Sequence, residues 1–183
     1  AWLAAVVITT LATFALGAQP GDNECTLGDS QRRTGDVEKA RALYAEALKL
    51  NPRHATACCH LAETYLPDQP KKAVELFTQA IEIDPLKAAD SFAGRGNAYL
   101  LLDELDRAVA DLSESIRLNA QFADTYARRA LAYHRQGDLA KALEDYGRAV
   151  QLGTRNPAAY YGRGDVYADK GDADRALLDF NEA

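Results

Sequence analysis

The chain has 183 residues and a formal net charge of −6, from 21 Lys and Arg against 27 Asp and Glu. Its 48% of hydrophobic and 26% of charged residues are typical of a folded protein and exclude a disordered chain. The acidic excess argues against a nucleic-acid-binding protein, because phosphate contacts need clustered Lys and Arg. Three cysteines are too few for a disulfide-dense mini-scaffold.

The first predicted element is an apolar helix over residues 1–18, which carry no charge. At the rise of an α-helix this run spans about 27 Å, close to the thickness of the apolar part of a bilayer. It has no polar face, which argues against a helix packed on a globular core. Two interpretations remain open: a secretory signal peptide cleaved after Gly17 or Ala18, and a retained membrane anchor with Trp2 near one interface.

The residues behind the apolar run indicate its orientation. Asp22 and Glu24 follow it closely, and the first basic residue is Arg32. Cytoplasmic flanks of apolar helices are usually rich in Lys and Arg, so we expect the remainder of the chain on the non-cytoplasmic side. The sequence therefore predicts an exported protein, periplasmic or extracytoplasmic, which is anchored to the inner membrane if the run is retained.

Beyond this run the sequence repeats with a constant period. Tyrosines recur at one fixed step, and so do small residues in one register: Tyr65, Tyr99, Tyr133 and Tyr167, with Gly28, Ala62, Gly96, Ala130 and Gly164. A fixed period of this length, about 34 residues, is the signature of a repeat architecture.

Each repeat has the pattern of helix, turn and helix, most clearly in residues 123–156. Tyr126, Ala130 and Tyr133 share one helix face, and Gly137 and Asp138 suit a helix end and the cap of the next helix. One such hairpin cannot bury its own apolar stripe, whereas stacked copies bury a continuous core. The sequence therefore predicts an all-α solenoid of antiparallel helix pairs in residues 19–183, with repeats at 21–54, 55–88, 89–122, 123–156 and an incomplete 157–183.

Five positions recur within the repeats: a bulky residue, a small residue, Tyr, Ala, and a bulky residue four positions after the Ala. The matching sets are Cys58, Ala62, Tyr65, Ala73 and Phe77; Phe92, Gly96, Tyr99, Ala108 and Leu112; Tyr126, Ala130, Tyr133, Ala142 and Tyr146; and Tyr160, Gly164, Tyr167, Ala176 and Phe180. This pattern resembles the tetratricopeptide repeat (TPR) family. The resemblance covers about residues 21–183 and implies a right-handed superhelix of helix pairs that binds other proteins.

One pair of positions changes character together along the repeats. The last three repeats have an Arg in the first helix and an Asp in the second helix at a fixed spacing: Arg95 and Asp111, Arg129 and Asp145, Arg163 and Asp179. In the first two repeats the corresponding positions are both leucine: Leu27 and Leu43, Leu61 and Leu76. A partly buried Arg needs a carboxylate for its donors, so we predict a repeating structural Arg–Asp pair. The alternative is that both residues are solvated surface charges of little energetic value.

The usual motifs of catalysis and cofactor binding are missing from the sequence. His60 follows Cys58 and Cys59 directly, but consecutive helix residues point about 100° apart and cannot converge on one ion. The Gly-x-Gly pairs at Gly94 and Gly162 lie within helices and not behind strands, which argues against nucleotide binding. We therefore expect no catalytic residue, cofactor site or metal site, and no enzymatic activity.

The three cysteines leave two alternatives open. Cys25 and Cys59 are one repeat period apart and occupy matching positions of neighbouring first helices, with Cys58 beside them. In an exported protein, a disulfide from Cys25 to Cys58 or Cys59 would fasten the first repeat to the second. Neighbouring helix axes are wider apart than a relaxed disulfide spans, and the alternative is three buried or half-buried thiols.

The resemblance implies that the first helices of the repeats line a concave groove for a peptide or helix of a partner protein. A membrane-complex subunit is one such partner. The groove residues that this register predicts are Glu63, Leu66, Ala93, Asn97, Leu100, Leu101, Ala127, Leu131, His134, Arg135, Tyr161 and Asp165. Grouped leucines favour an apolar partner, although some of them could equally pack against adjacent helices. The alternative function is a structural or assembly factor that self-associates through its C-terminal edge.

Overall fold

The computed structural model describes residues 19–86 and 88–183. Within these ranges the chain forms ten α-helices and no strand, which confirms the predicted all-α fold. The predicted apolar N-terminal helix lies outside the described residues. Among the helices of residues 19–86 and 88–183, none combines the length and the apolar character that a membrane span requires.

Residues up to Pro85 form one compact unit, and its described part contains four helices. The first pair is α1 (Asp22–Arg33) with α2 (Val37–Leu50), and the second is α3 (Ala55–Tyr65) with α4 (Pro70–Ile83). Short turns connect the partners of each pair, which therefore run antiparallel. Small, aromatic and aliphatic side chains from the first three helices share the core: Cys25, Ala40, Tyr44, Ala47, Ala57 and Leu61.

Residues 86–183 form a second compact unit of three helix pairs. These pairs are α5 (Ala89–Leu101) with α6 (Leu105–Leu118), α7 (Ala123–Arg135) with α8 (Leu139–Gln151), and α9 (Pro157–Asp169) with α10 (Ala173–Glu182). Helices α7 to α9 contribute to a common core: Tyr126, Ala127, Ala130, Ala142, Tyr146, Ala149, Ala159 and Val166. Each of the five predicted repeat windows thus contains one helix pair.

The turns within the pairs have the chemistry that the sequence predicts. Gly137 has a φ of 80°, a left-handed conformation in which glycine meets no steric penalty. The side chain of the next residue, Asp138, accepts a hydrogen bond from the backbone N–H of Lys141 and so caps α8. In the third pair Asp103 takes the left-handed position with a φ of 58°, which Asp tolerates better than most residues.

The recurring small residues allow close approach of the two helices in a pair. A Cβ atom placed on Gly96 would lie 2.7 Å from Cγ of Leu112, and one on Gly28 would lie 2.5 Å from the ring of Tyr44. Because Leu112 and Tyr44 are fully buried, neither side chain has room to move away. These positions must remain small so that the bulky residue of the second helix can pack against the first helix.

Candidate functional site

The first helices of the second unit lie side by side and are joined near their C-terminal ends. Arg135 Nη1 of α7 donates a 3.0 Å hydrogen bond to the carbonyl oxygen of Leu100 in α5, and it lies 3.8 Å from Oδ1 of Asp103. His134 Nε2 lies 2.7 Å from Oδ2 of Asp169 in α9. Each of the two hydrogen bonds joins residues that are 35 positions apart, close to one repeat period, on neighbouring first helices.

Six of the predicted groove residues occupy exposed or half-buried positions of these three helices, two on each helix and four residues apart. We call this set the first-helix face: Asn97, Leu101, Leu131, Arg135, Tyr161 and Asp165. Residues four apart share one side of a helix, so each pair forms a short row. The side chains of Leu101 and Tyr161 are 56% and 54% exposed.

The structure corrects the expectation that Leu100, Ala93 and Ala127 belong to an exposed groove. Leu100 is only 3% exposed, and both alanines are also buried. These side chains point towards the packed interior of the unit; for Leu100 this is the alternative of packing against adjacent helices. Only the neighbouring positions on the same helices remain accessible to a partner.

Two predicted groove residues, Glu63 and Leu66, belong to the first unit. Glu63 Oε2 lies 2.9 Å from Nη1 of Arg32, so its carboxylate already has an ion-pair partner within the chain. Leu66 is half-buried at the C-terminal end of α3. His134 of the second unit is likewise engaged, since its ring is paired with Asp169, a residue that the sequence analysis did not single out.

Tyr146 of α8 lies beneath the first-helix face. Its side chain is buried, and its hydroxyl occupies the space beside Gly162 of α9. Burial raises the pKa of Tyr146 to about 12, with a further contribution from the negative charge of Asp165 that the positive charge of Arg135 opposes. Asp165 and Arg135 are thus close enough to the same hydroxyl to influence its charge. The ring of Tyr161 packs against that of Phe180 in α10, with the two ring centroids 5.8 Å apart.

The three predicted Arg–Asp pairs all form in the structure, each by two parallel hydrogen bonds between one first helix and its second helix. In the fourth repeat Arg129 Nε and Nη2 donate to Asp145 at 2.7 and 2.8 Å. The other pairs have the same geometry, at 2.7 and 2.9 Å for Arg95 with Asp111 and at 2.7 and 2.6 Å for Arg163 with Asp179. All three carboxylates are buried.

These pairs are therefore not solvated surface charges. The hydrogen bonds that Arg129 donates to Asp145 raise the pKa of Arg129, against the opposing effect of burial, and keep the guanidinium charged. An aromatic ring three residues earlier lies beside each guanidinium, as with Tyr126, whose ring centroid is 5.8 Å from Cζ of Arg129.

No disulfide joins Cys25, Cys58 or Cys59, and all three side chains are buried, which corresponds to the thiol alternative. Burial, followed by the charges of Asp29 and Asp22, raises the pKa of Cys25 to about 11. Cys25 and Asp29 of α1 instead meet His60 of α3, a cluster that the sequence analysis missed because it compared His60 only with its neighbours in the chain. The separation of Cys25 and His60 along the chain, one position more than the repeat period, is the signal that could have found it.

A second apolar feature lies on the last helix pair. A surface cavity of about 460 Å³ is lined by small and apolar side chains: Ala168, Gly171, Ala173, Ala176, Leu177 and Phe180. Leu177 and Leu178 of α10 are 61% and 68% exposed. This surface has the character of a contact for another helix.

Comparison with known proteins finds TPR sequences in both units. A model of the TPR repeat matches residues 96–137 and 131–171, and a second model, of the tetratricopeptide repeat, matches residues 25–54. The chain is 33% identical over 98 residues to the mitochondrial import receptor subunit TOM70 of Homo sapiens, an alignment that covers 53% of this chain and only 16% of that protein.

Solved structures agree with the sequence matches. The crystal structure of MamA is 30% identical to this chain with a TM-score of 0.72, and the alignment covers 84% of this chain and 90% of MamA. A thermophilic TPR protein of Thermus thermophilus shares the fold at 24% identity with a TM-score of 0.75, over 89% of each chain. The chain belongs to the tetratricopeptide repeat family.

Proposed function

We propose that this protein is a non-enzymatic interaction scaffold that binds a peptide or helix of a partner protein on the first-helix face. The observation that carries the proposal is the exposure of two large apolar side chains on first helices, Leu101 on α5 and Tyr161 on α9, each on the same helix side as a polar residue, Asn97 and Asp165 respectively. Large apolar side chains surrounded by polar ones are typical of protein interaction sites. A receptor subunit among the similar proteins supports the same class of function.

The chemistry of the face defines the partner. Full burial of an exposed apolar side chain contributes about 1.5–3 kcal/mol, and about half of this remains to be gained at Leu101, which is 56% exposed. Leu101 and Tyr161 can therefore each contact an apolar side chain of an amphipathic helix. Asp165 offers a negative group, and Arg135, whose Nη1 is already bonded to the carbonyl oxygen of Leu100, offers a positive group; such charges orient a ligand more than they strengthen its binding. The partner is therefore an amphipathic segment with few charges on its contacting side.

A peptide selection tests this proposal. Amphipathic peptides are selected from a displayed library on the full chain, and their affinity is then measured for Leu101→Glu and Tyr161→Glu. We expect each change to weaken binding at least about 10-fold, because a carboxylate would be buried against apolar surface. Leu50→Glu, at a leucine that is 51% exposed on α2, is the matched control and should leave affinity unchanged. Equal affinities for all variants, with unchanged helical circular dichroism, would contradict the assignment.

The exposed leucines of α10 favour one alternative, a structural factor that self-associates through Leu177, Leu178 and the adjoining cavity. Light scattering of the full chain distinguishes the two functions. An oligomer that dissociates on Leu178→Glu, and not on Leu101→Glu, supports self-association. A monomer at all concentrations argues against it.

The proposal extends to the location of the protein. The uncharged run of residues 1–18 supports export, with the scaffold on the non-cytoplasmic side and tethered to a membrane complex if the run is retained. Mass spectrometry of the N-terminus of the native protein tests this. A mature chain that begins near Gln19 indicates a cleaved signal peptide, whereas an intact run in the membrane fraction indicates an anchor.

A further inference from the structure

Three different ligand-type side chains converge between the first helices of the first unit. Cys25 and Asp29 lie one turn apart on α1, and His60 faces them from α3. Nδ1 of His60 is 3.9 Å from Sγ of Cys25 and 2.7 Å from Oδ1 of Asp29. The three ligand atoms all lie within 4.8 Å of one another.

The arrangement is unsuited to a nucleophilic thiol. In a catalytic relay the nucleophile and the carboxylate contact opposite nitrogens of the imidazole, so that a proton passes through the ring. Here both groups approach the same nitrogen, Nδ1. Cys25 is also only 5% exposed and offers a substrate no approach. A sulfur, a nitrogen and an oxygen atom within 4.8 Å of one another are instead an arrangement from which chelation can proceed.

The distances are close to those around a zinc ion. Tetrahedral zinc with ordinary bond lengths places sulfur and nitrogen ligands about 3.5 Å apart, and nitrogen and oxygen ligands about 3.3 Å apart. The observed 3.9 and 2.7 Å require side-chain shifts of only about 0.4 and 0.6 Å. The mixture of thiolate, imidazole and carboxylate favours zinc over magnesium or calcium, which prefer oxygen ligands.

The surroundings already orient the carboxylate and the imidazole. The hydroxyl of Tyr44, a fully buried residue of α2, donates a 2.7 Å hydrogen bond to Oδ1 of Asp29. The Tyr44 ring also meets the His60 ring edge to face, with centroids 5.7 Å apart. Such partners behind the ligands are a regular feature of metal sites. The side chains of His60 and Asp29 are 23% and 33% exposed, which leaves an ion a path from solvent.

We propose that Cys25, Asp29 and His60 bind a zinc ion, with water as the fourth ligand. The ion links α1 to α3 and so fastens the first repeat to the second, as the disulfide alternative of the sequence analysis would have done. Cys25 binds as the thiolate and releases its proton to solvent. This inference concerns residues 19–85 and is independent of partner binding to the first-helix face.

Cobalt is the probe for this site, since it replaces zinc and reports its ligands by absorption. The full chain is reduced, stripped with a chelator and titrated with Co²⁺. We expect one Co²⁺ ion to bind per chain and to give a thiolate-to-cobalt charge-transfer band. Addition of Zn²⁺ should displace the bound Co²⁺ and abolish the band. Binding without the thiolate band, or the absence of binding, would overturn the proposal.

Matched variants separate the ligands from ordinary residues. Cys25→Ser and His60→Gln should each weaken Co²⁺ binding by at least about 100-fold, and Tyr44→Phe should weaken it by about 10-fold because it acts through Asp29. Cys58→Ser, at another buried thiol, and His134→Gln, at a histidine paired with Asp169 but without a thiol, should bind as the parent chain does. An unchanged affinity for Co²⁺ in Cys25→Ser, or an equal loss of affinity in Cys58→Ser, would refute the assignment. If a ligand variant does not fold, the affinity of Tyr44→Phe for Co²⁺ is the test, and an affinity equal to that of the parent chain would refute the assignment.

Discussion

The Arg129–Asp145 pair allows a direct test of how the repeats are held together. The change Asp145→Asn preserves the volume of the side chain and removes its charge. Arg129 then faces an amide whose NH₂ group cannot accept from Nε or Nη2. We expect a large loss of stability, because the guanidinium stays in a mostly buried position without its carboxylate.

The structure sets the size of this loss. Two hydrogen bonds of 2.7 and 2.8 Å join the pair, and the amide oxygen of Asn can still accept one of them. Breaking a buried ion pair by removing one charge costs about 3–5 kcal/mol. Arg129 retains a 3.0 Å hydrogen bond to Ser113, and its side chain is 19% exposed, so the loss lies at the lower end of the range. We expect Asp145→Asn to reduce the free energy of unfolding by about 3 kcal/mol.

The chain itself contains the apolar replacement for this pair. Leu61 and Leu76 occupy the equivalent positions of the second repeat. A double variant that combines Arg129→Leu with Asp145→Leu should therefore unfold within about 1 kcal/mol of the parent chain, since well-packed apolar residues can replace a buried ion pair at little cost. The loss in the double variant should be well below the sum of the losses in the two single variants.

Urea unfolding followed by far-ultraviolet circular dichroism measures these differences. The control is Arg117→Ala, which removes an exposed pair with Glu114 and should cost less than about 0.5 kcal/mol. A cost below about 1 kcal/mol for Asp145→Asn would show that the pair behaves as solvated charge and would refute the reasoning. So would a double variant whose cost equals the sum of the single changes.

Two further predictions concern single buried groups. Ser115 is fully buried, its hydroxyl has no hydrogen-bond partner among the described residues, and other repeats have Ala at this position. Ser115→Ala should therefore raise the free energy of unfolding in urea by about 1 kcal/mol. A lower free energy of unfolding in the variant would contradict this account. Because the pKa of Tyr146 is raised to about 12, the unfolded state releases this proton first, and stability falls as the pH rises from about 10 towards 12. Tyr146→Phe should make this alkaline loss smaller, whereas parallel pH curves for the two proteins would contradict the assigned shift.

Local chemistry that repeats along the chain was predictable from the sequence. The repeat period placed Gly137 and Asp138 in a turn and paired Arg129 with Asp145, because both features depend on neighbours within one hairpin. Helix ends, caps and the register between two consecutive helices follow from short-range spacing. The family followed from the same pattern.

Contacts between repeats were decided only by the tertiary structure. The sequence could not tell that Leu100 is buried while Leu101 is exposed, since both follow the same apolar pattern and only the packing of α5 against its neighbours separates them. In the sequence His60 is next to Cys58 and Cys59, whereas in the fold its side chain lies beside Cys25 and Asp29. The physical reason is that a period defines equivalent positions, while the crossing of neighbouring helices decides which of those positions face each other and which face solvent.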